Sequence, residues 1–304
     1  MSSVLSGIKI AVLGGDDREL ILVNELVRMG ATVVVCGFPR EMVGHGAFAL
    51  NNPEEACKGA EVVILPLPGT SPDGVIRAVY SEQELKLTEK AITAVAPRAL
   101  IIIGSARDFL KKWIADRELD LLEVAEIDEI AILNSIPTAE GAIQIAMEET
   151  NFTIHGSRSC VIGFGRIGIT LARALKSLGS EVTVVARNHG QLARAYEMGC
   201  KKAELGDLHE IMHTVDLAFN TVPELVLSRS VLKYANPDVL IIDLATQPGG
   251  TDFEAANNYG LKAILAPGLP GKVASVSAGK ILASVIPGLI IKELAKLEQT
   301  SIYA

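Results

Sequence analysis

Apolar residues in the first third of the chain come in short unbroken runs, IAVL, TVVVC, VVIL and LIII, each bounded by polar residues, glycine or proline. Runs this short and this rich in β-branched residues predict strands buried on both faces, the habit of a parallel sheet. Between them, apolar positions recur every three or four residues. DRELILVNELVRMG is the clearest case, with Gly30 as its predicted helix stop. One more strand is predicted at LDLLEVAE.

The alternation then restarts. IPTAEGAIQIAMEET, with a Pro-Thr start and apolar positions at Ala142, Ile145 and Ala146, predicts a connecting helix over residues 138–152. After the polar turn NFTIHGS come a strand in SRSCVIGF, a helix in GRIGITLARALKSLG, a strand in SEVTVVAR and a helix in HGQLARAYEMG. DLHEIMHTV, VDLAFNTVP, NPDVLIIDLAT and LKAILAPG complete this second series. The predicted fold class is therefore α/β, with two open parallel-sheet domains over residues 1–137 and 153–273. Helices over residues 274–304 are expected to cross back onto the first domain.

Composition narrows the function. The chain has 304 residues, 49% of them hydrophobic and only 4% aromatic, so Val, Ile, Leu and Ala must build the cores. Its 28 basic against 36 acidic residues give a net charge of −8, which repels a phosphate backbone and argues against nucleic-acid binding. MSSVLSGIKIAVLGG lacks the basic start and apolar core of a secretory signal. ILASVIPGLII is broken by Pro287 and Gly288 and falls short of the ~20 residues of a membrane span. The four cysteines have neither metal nor disulfide spacing, and Cys36 and Cys160 sit at apolar strands as core filling. A cytoplasmic protein without membrane attachment is expected.

GFGRIG, residues 163–168, matches the G-x-G-x-x-G turn, here between a strand and a helix as a dinucleotide site requires. Gly163 is expected to make the turn, Gly165 to admit the pyrophosphate, and Gly168 to let helix and strand pack closely. The amides of Arg166 and Ile167 would face the diphosphate at the helix N-terminus. The second domain is thus expected to be a Rossmann NAD(P)-binding domain. In VTVVARN, Ala186 stands where an NAD enzyme usually carries an acid, and Arg187 and Asn188 follow. Arginine attracts a 2′-phosphate and hydrogen-bonds it bidentately, so NADP is expected in preference to NAD. Two later strand ends complete the expected cofactor contacts, Thr221, Val222 and Pro223 in one, Asp243, Leu244 and Ala245 in the other.

HEIMH, residues 209–213, has the spacing of a zinc metalloprotease helix. Leu208, Ile211, Met212 and Val215 form that helix's apolar stripe, leaving His209 and His213 on its flank and Glu210 almost opposite. No third ligand follows at a recognised spacing, so no metal is expected.

Beyond these motifs, IKIAVLGGDDRE, LPLPGTSPDG, NSIPTAEGAIQIAM, IDLATQPGGTDF and APGLPGKVASVSAG together make the chain resemble the A-subunit family of dipicolinate synthase, from spore-forming bacteria, over nearly its whole length. More distantly, the layout is similar to that of 2-hydroxyacid dehydrogenases and adenosylhomocysteine hydrolases. The resemblance implies NADP-dependent oxidation of dihydrodipicolinate, or of its hydroxylated precursor, to the aromatic dipicolinate during sporulation, in the mother-cell cytoplasm. It also implies a partner, the flavoprotein-like B-subunit, with a homo-oligomer as a further possibility. A dicarboxylate substrate calls for cations in an interdomain cleft, for which Arg98 and Lys272 are the candidates. Asn134, Ser135, Thr138 and Glu140 at the domain junction are candidate lining residues, Glu140 as general base if partly buried. Thr138 and Glu140 serve helix capping and the helix dipole equally well. Two alternatives stay open: another NADP-dependent dehydrogenase of a small carboxylic acid, and a noncatalytic NADP-binding subunit.

Overall fold

The computed structural model of the chain describes residues 4–302, with side chains through residue 297. It divides into two compact units, Met1–Ala131 with Ser275–Ala304, and Ile132–Ala274. Unit 1 contains β1 (Lys9–Leu13), α1 (Asp17–Arg28), β2 (Thr32–Cys36), β3 (Ala47–Leu50), α2 (Pro53–Cys57) and β4 (Val62–Ile64). A two-stranded antiparallel hairpin, β5 (Val75–Ile76) with β6 (Leu85–Lys86), precedes α3 (Glu89–Thr93), β7 (Leu100–Ile103), α4 (Asp108–Asp116) and β8 (Asp120–Glu123). Its sheet is parallel throughout, in the order β3-β2-β1-β4-β7-β8. α5 (Asp128–Glu149) contains the division between the units.

Unit 2 repeats the plan with β9 (Arg158–Ile162), α6 (Arg166–Ser177), β10 (Glu181–Val185), α7 (His189–Glu197), β11 (Lys201–Ala203), α8 (Leu208–Thr214) and β12 (Leu217–Asn220). Then come α9 (Arg229–Leu232), β13 (Leu240–Asp243), α10 (Phe253–Asn258), β14 (Lys262–Leu265) and α11 (Leu269–Val273). The order β11-β10-β9-β12-β13-β14, again all parallel, reverses direction between β9 and β12, and ligands bind such sheets at that switch point. Both faces are covered. Val161, Val184, Phe219 and Ile242 pack under α5, α6 and α7, while Cys160, Ile162, Ala218 and Ile241 pack under α8, α9 and α10. The short apolar runs were strands because every second residue serves a different core.

α12 (Ser275–Ile302) returns to unit 1, as the sequence predicted, and lies against α1. Its buried stripe is Ala278, Leu282, Val285, Ile286 and Ile290. At Gly279 the approach is so close that an added methyl would stand 2.7 Å from Ile21 Cδ1 and 3.0 Å from Arg18 Cα. The expected break at Pro287 and Gly288 does not occur, and one helix runs through both residues. Proline removes a single intrahelical donor, a loss that the apolar stripe outweighs. By length and composition alone Ser275–Leu297 is apolar enough to cross a membrane, and the packing on α1 is where part of that hydrophobicity goes. α5 likewise begins at Asp128, ten residues before the expected 138, and continues through Pro137. Ala139, Ala142, Ile143 and Ala146 hold it in the unit 2 core.

Candidate functional site

The turn from β9 into α6 divides its work among three glycines. Gly163 has φ +89°, donates its amide to the Val185 carbonyl at 2.8 Å, and has no room for a methyl beside the Thr221 hydroxyl. At Gly168 a methyl would overlap the Gly163 carbonyl, so the helix can sit this close to the strand only without a side chain. Gly165 differs from both. Its φ of −89° suits any residue, and a methyl there would meet nothing within 4 Å. Open space therefore lies over the helix entry, where the first-turn amides have no intrahelical acceptor and Gly165 supplies no side-chain cap. Those amides and the dipole of a twelve-residue helix favour an anion there.

That space belongs to a cleft of ≈ 420 Å³ at the carboxyl ends of β9, β10 and β12. Gly163, Gly165, Arg166 and Ile167 form one end, with Phe164 between them. Ala186 and Arg187 at the end of β10 form another wall, joined by Gln191 of α7 and by Leu205. Thr221, Val222, Pro223 and Glu224 close the opposite side. Buried Asn220 shapes this loop, accepting from the Val222 amide at 3.0 Å and donating to its carbonyl at 2.9 Å. The Thr221 hydroxyl donates to the Ile162 carbonyl at 2.9 Å, fixing the loop to the glycine turn. Arg187 is exposed, and its Nη1 lies 3.5 Å from Glu224 Oε2. A helix N-terminus, an open glycine and a cation beyond them fit the phosphates of a dinucleotide.

Four expected cofactor residues have other work. The Asn188 side-chain oxygen caps α7, accepting from Gly190 and Gln191 amides at 2.8 and 3.1 Å. Asp243 is fully buried and organises its own loop, accepting from the Ala245 and Gly250 amides at 3.0 and 2.9 Å and from the Thr251 hydroxyl at 2.6 Å. Leu244 and Ala245 are buried, Leu244 in the unit 2 core, and neither lines the cleft. A strand end has two sides, and the sequence did not say which side faces the opening. Phe164, Val185, Gln191, Leu205 and Glu224 line the cleft and were missed. Phe164, Val185 and Glu224 had a signal, since each directly adjoins an expected residue, Gly163, Ala186 and Pro223 respectively.

The candidate substrate residues are not gathered at this cleft. Ser135 donates to the Ile132 carbonyl and meets the Thr170 hydroxyl, both at 2.6 Å, and Thr138 donates to the Asn134 carbonyl at 2.7 Å. Both hydroxyls are thus committed to α5 itself and to α6. The buried Asn134 Oδ1 has no hydrogen-bond partner, so of the three it alone retains unused capacity. Glu140 is exposed and borders an apolar groove with Ile143, Met147 and Leu178, which removes the partial burial its role as a base required. Lys272 is exposed on α11, which packs on α5 where a Gly141 methyl would stand 2.9 Å from Val273 Cγ2. Arg98 lies exposed in the turn before β7, with φ +57°, at the amino end of its strand and away from the carboxyl edge. Among the described residues no cluster of potential metal ligands exists. His209 and His213 instead face the carbonyls of Gly206 and Tyr234 at 3.1 and 3.3 Å. All four cysteines are buried, and burial pushes the Cys160 thiol up to about 12, unsuited to nucleophilic work.

Unit 1 has the corresponding turn, Gly14 and Gly15 between β1 and α1, but there the chain fills it. Gly15 donates to the Arg77 carbonyl at 2.7 Å, and Val79 donates to the Gly15 carbonyl at 3.0 Å. The helix end is also neutralised internally. Asp16 caps α1, with Oδ1 2.8 Å from Arg18 Nε, and Arg77 Nη1 lies 3.2 Å from its other oxygen. Burial works to raise the Asp16 carboxyl, yet the hydrogen bonds and charge of Arg18, helped by Arg77, hold it below its ordinary value. Glu19 accepts the Asp16 amide at 2.8 Å, and burial pushes its carboxyl up to about 7 against the pull of Arg18.

Comparison with known proteins agrees with this division of labour. Residues 9–125 match the N-terminal domain of the dipicolinate synthase A-subunit, and residues 137–246 match the NAD-binding domain of D-isomer specific 2-hydroxyacid dehydrogenases. The chain is 40% identical to the dipicolinate synthase A-subunit of Bacillus subtilis over 288 residues, 94% of this chain and 97% of that one. The crystal structure of the same subunit from Bacillus halodurans superposes with a TM-score of 0.90 at 36% identity, covering 94% of this chain and 98% of the other. D-lactate dehydrogenase from Escherichia coli shares the fold, with a TM-score of 0.66 at 15% identity over 95% and 98% of the two chains. With a dehydrogenase-type nicotinamide-dinucleotide domain in unit 2, the chain belongs to the A-subunit family of dipicolinate synthase.

Proposed function

We propose that the chain oxidises dihydrodipicolinate, or its hydroxylated tetrahydro precursor, to dipicolinate with NADP, as one half of a two-subunit synthase acting in sporulation. The observation that carries the cofactor is the open cleft at the β9–α6 turn with Arg187, and no acid, at the end of β10. A guanidinium there attracts a 2′-phosphate that an aspartate or glutamate in its place would repel. The substrate follows from the family and the names of the relatives, which also support a second, differently named subunit.

A bound nicotinamide supplies the acceptor for a hydride. Loss of that hydride and of one proton makes the dihydropyridine ring aromatic, the hydroxylated precursor first losing water to reach the dihydro level, so the driving force lies largely in the substrate. The chain's own tasks are to hold the dinucleotide by amides and Arg187, to orient the ring and to exclude water. Of the candidates on α5, Asn134 is the one we assign to the substrate, because the hydroxyls of Ser135 and Thr138 are committed within the fold.

Purified chain, by itself and with the flavoprotein-like partner, is to be assayed for NADP reduction with dihydrodipicolinate and with 2-hydroxy acids. Turnover of dihydrodipicolinate is expected. Turnover of hydroxy acids alone would overturn the substrate, and activity strictly dependent on chemistry in the partner would reduce this chain to a nucleotide-binding component.

A further inference from the structure

The wall of the cleft facing Arg187 carries a carboxylate that the NADP reading alone does not use. Glu224 follows Pro223 in the loop after β12, lines the same cleft, and sets Oε2 3.5 Å from Arg187 Nη1. Both side chains are mostly exposed, at 67% and 76%, so each is free to exchange its partner for a ligand. The position that carries the ribose-binding acid in NAD enzymes is Ala186 here, which lines the cleft without offering a carboxylate. On the opposite wall Glu224 does supply a carboxylate to the cleft.

We propose that Glu224 determines cofactor preference, the Arg187–Glu224 pair reading the 2′ position of the adenosine ribose from two sides. This rests on the nucleotide assignment and sharpens it. Arg187 favours a 2′-phosphate. Glu224 repels one, competes for the guanidinium in the empty cleft, and accepts a hydrogen bond from a free 2′-hydroxyl. A phosphomonoester carries close to two negative charges at pH 7, and any 2′-phosphate bound to Arg187 lies well within one Debye length of Glu224. The cleft is thereby tuned to moderate selectivity for NADP, with NAD retained as a weaker ligand.

The test is fluorescence titration of NADPH and NADH into the full chain as wild type, E224Q, R187A and the double variant, at constant ionic strength. E224Q is expected to tighten NADPH about three- to tenfold, with NADH unchanged or weakened, and the gain is expected to shrink in high salt. In the R187A background the same substitution is expected to lose most of its effect on NADPH, because the two residues are coupled. A NADPH-to-NADH affinity ratio that stays within about twofold of wild type in E224Q overturns the role of Glu224, with nucleotide binding itself left standing. Wild-type protein that binds neither nucleotide overturns this proposal and the proposed function together.

Discussion

Among single residues, Gly165 and Gly168 separate folding from binding. A methyl at Gly165 meets nothing in the protein and its backbone angles suit alanine, so Gly165→Ala is expected to melt within a degree or two of wild type. The same methyl occupies the open side of the turn, and nucleotide affinity should fall by a factor of ten or more. Gly168→Ala, by contrast, forces the helix off the Gly163 carbonyl and is expected to cost ~1–3 kcal/mol of stability before any ligand is added. Differential scanning fluorimetry beside titration distinguishes the two. Arg187→Ala is expected to leave the fold alone, since its side chain is exposed and its ion pair with Glu224 spans 3.5 Å at the surface. It should weaken NADPH by ~1.5–3 kcal/mol and leave NADH nearly unchanged. Equal losses for both nucleotides would remove Arg187 from the 2′ position. The place of the glycines and of Arg187 at the cleft was legible in the sequence because it follows from a local motif and its spacing. Gln191 and Leu205 were not, because their part depends on α7 and a later turn converging on one cleft.

Among the elements, α1 carries a pH-sensitive end. Buried Glu19 has its carboxyl pushed up to about 7 from an ordinary 4.5, chiefly by burial. Between those values the folded chain keeps a proton that the unfolded chain has released. Stability therefore falls as pH rises from about 4.5 to about 7 and levels off above, by roughly 1–3 kcal/mol in all. Glu19→Gln keeps an acceptor for the Asp16 amide and removes the titration. Its melting temperature at pH 8 is expected to exceed that of wild type, with a flatter profile from pH 5 upward. A profile parallel to wild type would mean that Glu19 is ionised throughout. Helices with an apolar stripe and strands with unbroken apolar runs were visible before the fold was known. Two of the four edge strands were not: β3 pairs on one side only and β11 reads KKA, and neither needs an apolar run. Both interior prolines misled for one reason, that Pro137 and Pro287 resemble helix boundaries until packing along the whole helix is known.

Across the whole molecule, two units of equal strand order use the same turn in opposite ways. In unit 2 it is open to a ligand, whereas in unit 1 the segment around Arg77 and the Asp16–Arg18 pair fill and neutralise it. Nucleotide should accordingly stabilise unit 2 directly, by ~2.7 kcal/mol at a hundredfold excess over Kd. Hydrogen exchange is expected to slow first at residues 163–168 and 221–224, with the Gly14–Gly15 amides as an unaffected reference. Slowing at Gly15 equal to that at Gly165 would place a nucleotide in both turns.

The return of α12 has a consequence for biosynthesis. Every residue of unit 2 leaves the ribosome before α12 does, while unit 1, translated first, waits for that helix to cover the α1 side of its sheet. The usual order of maturation, amino-terminal domain first, is therefore expected to be inverted. A nascent chain halted after residue 274 would hold a finished nucleotide domain tethered to an uncovered one, and a premature stop near the carboxyl end would strike the first domain made.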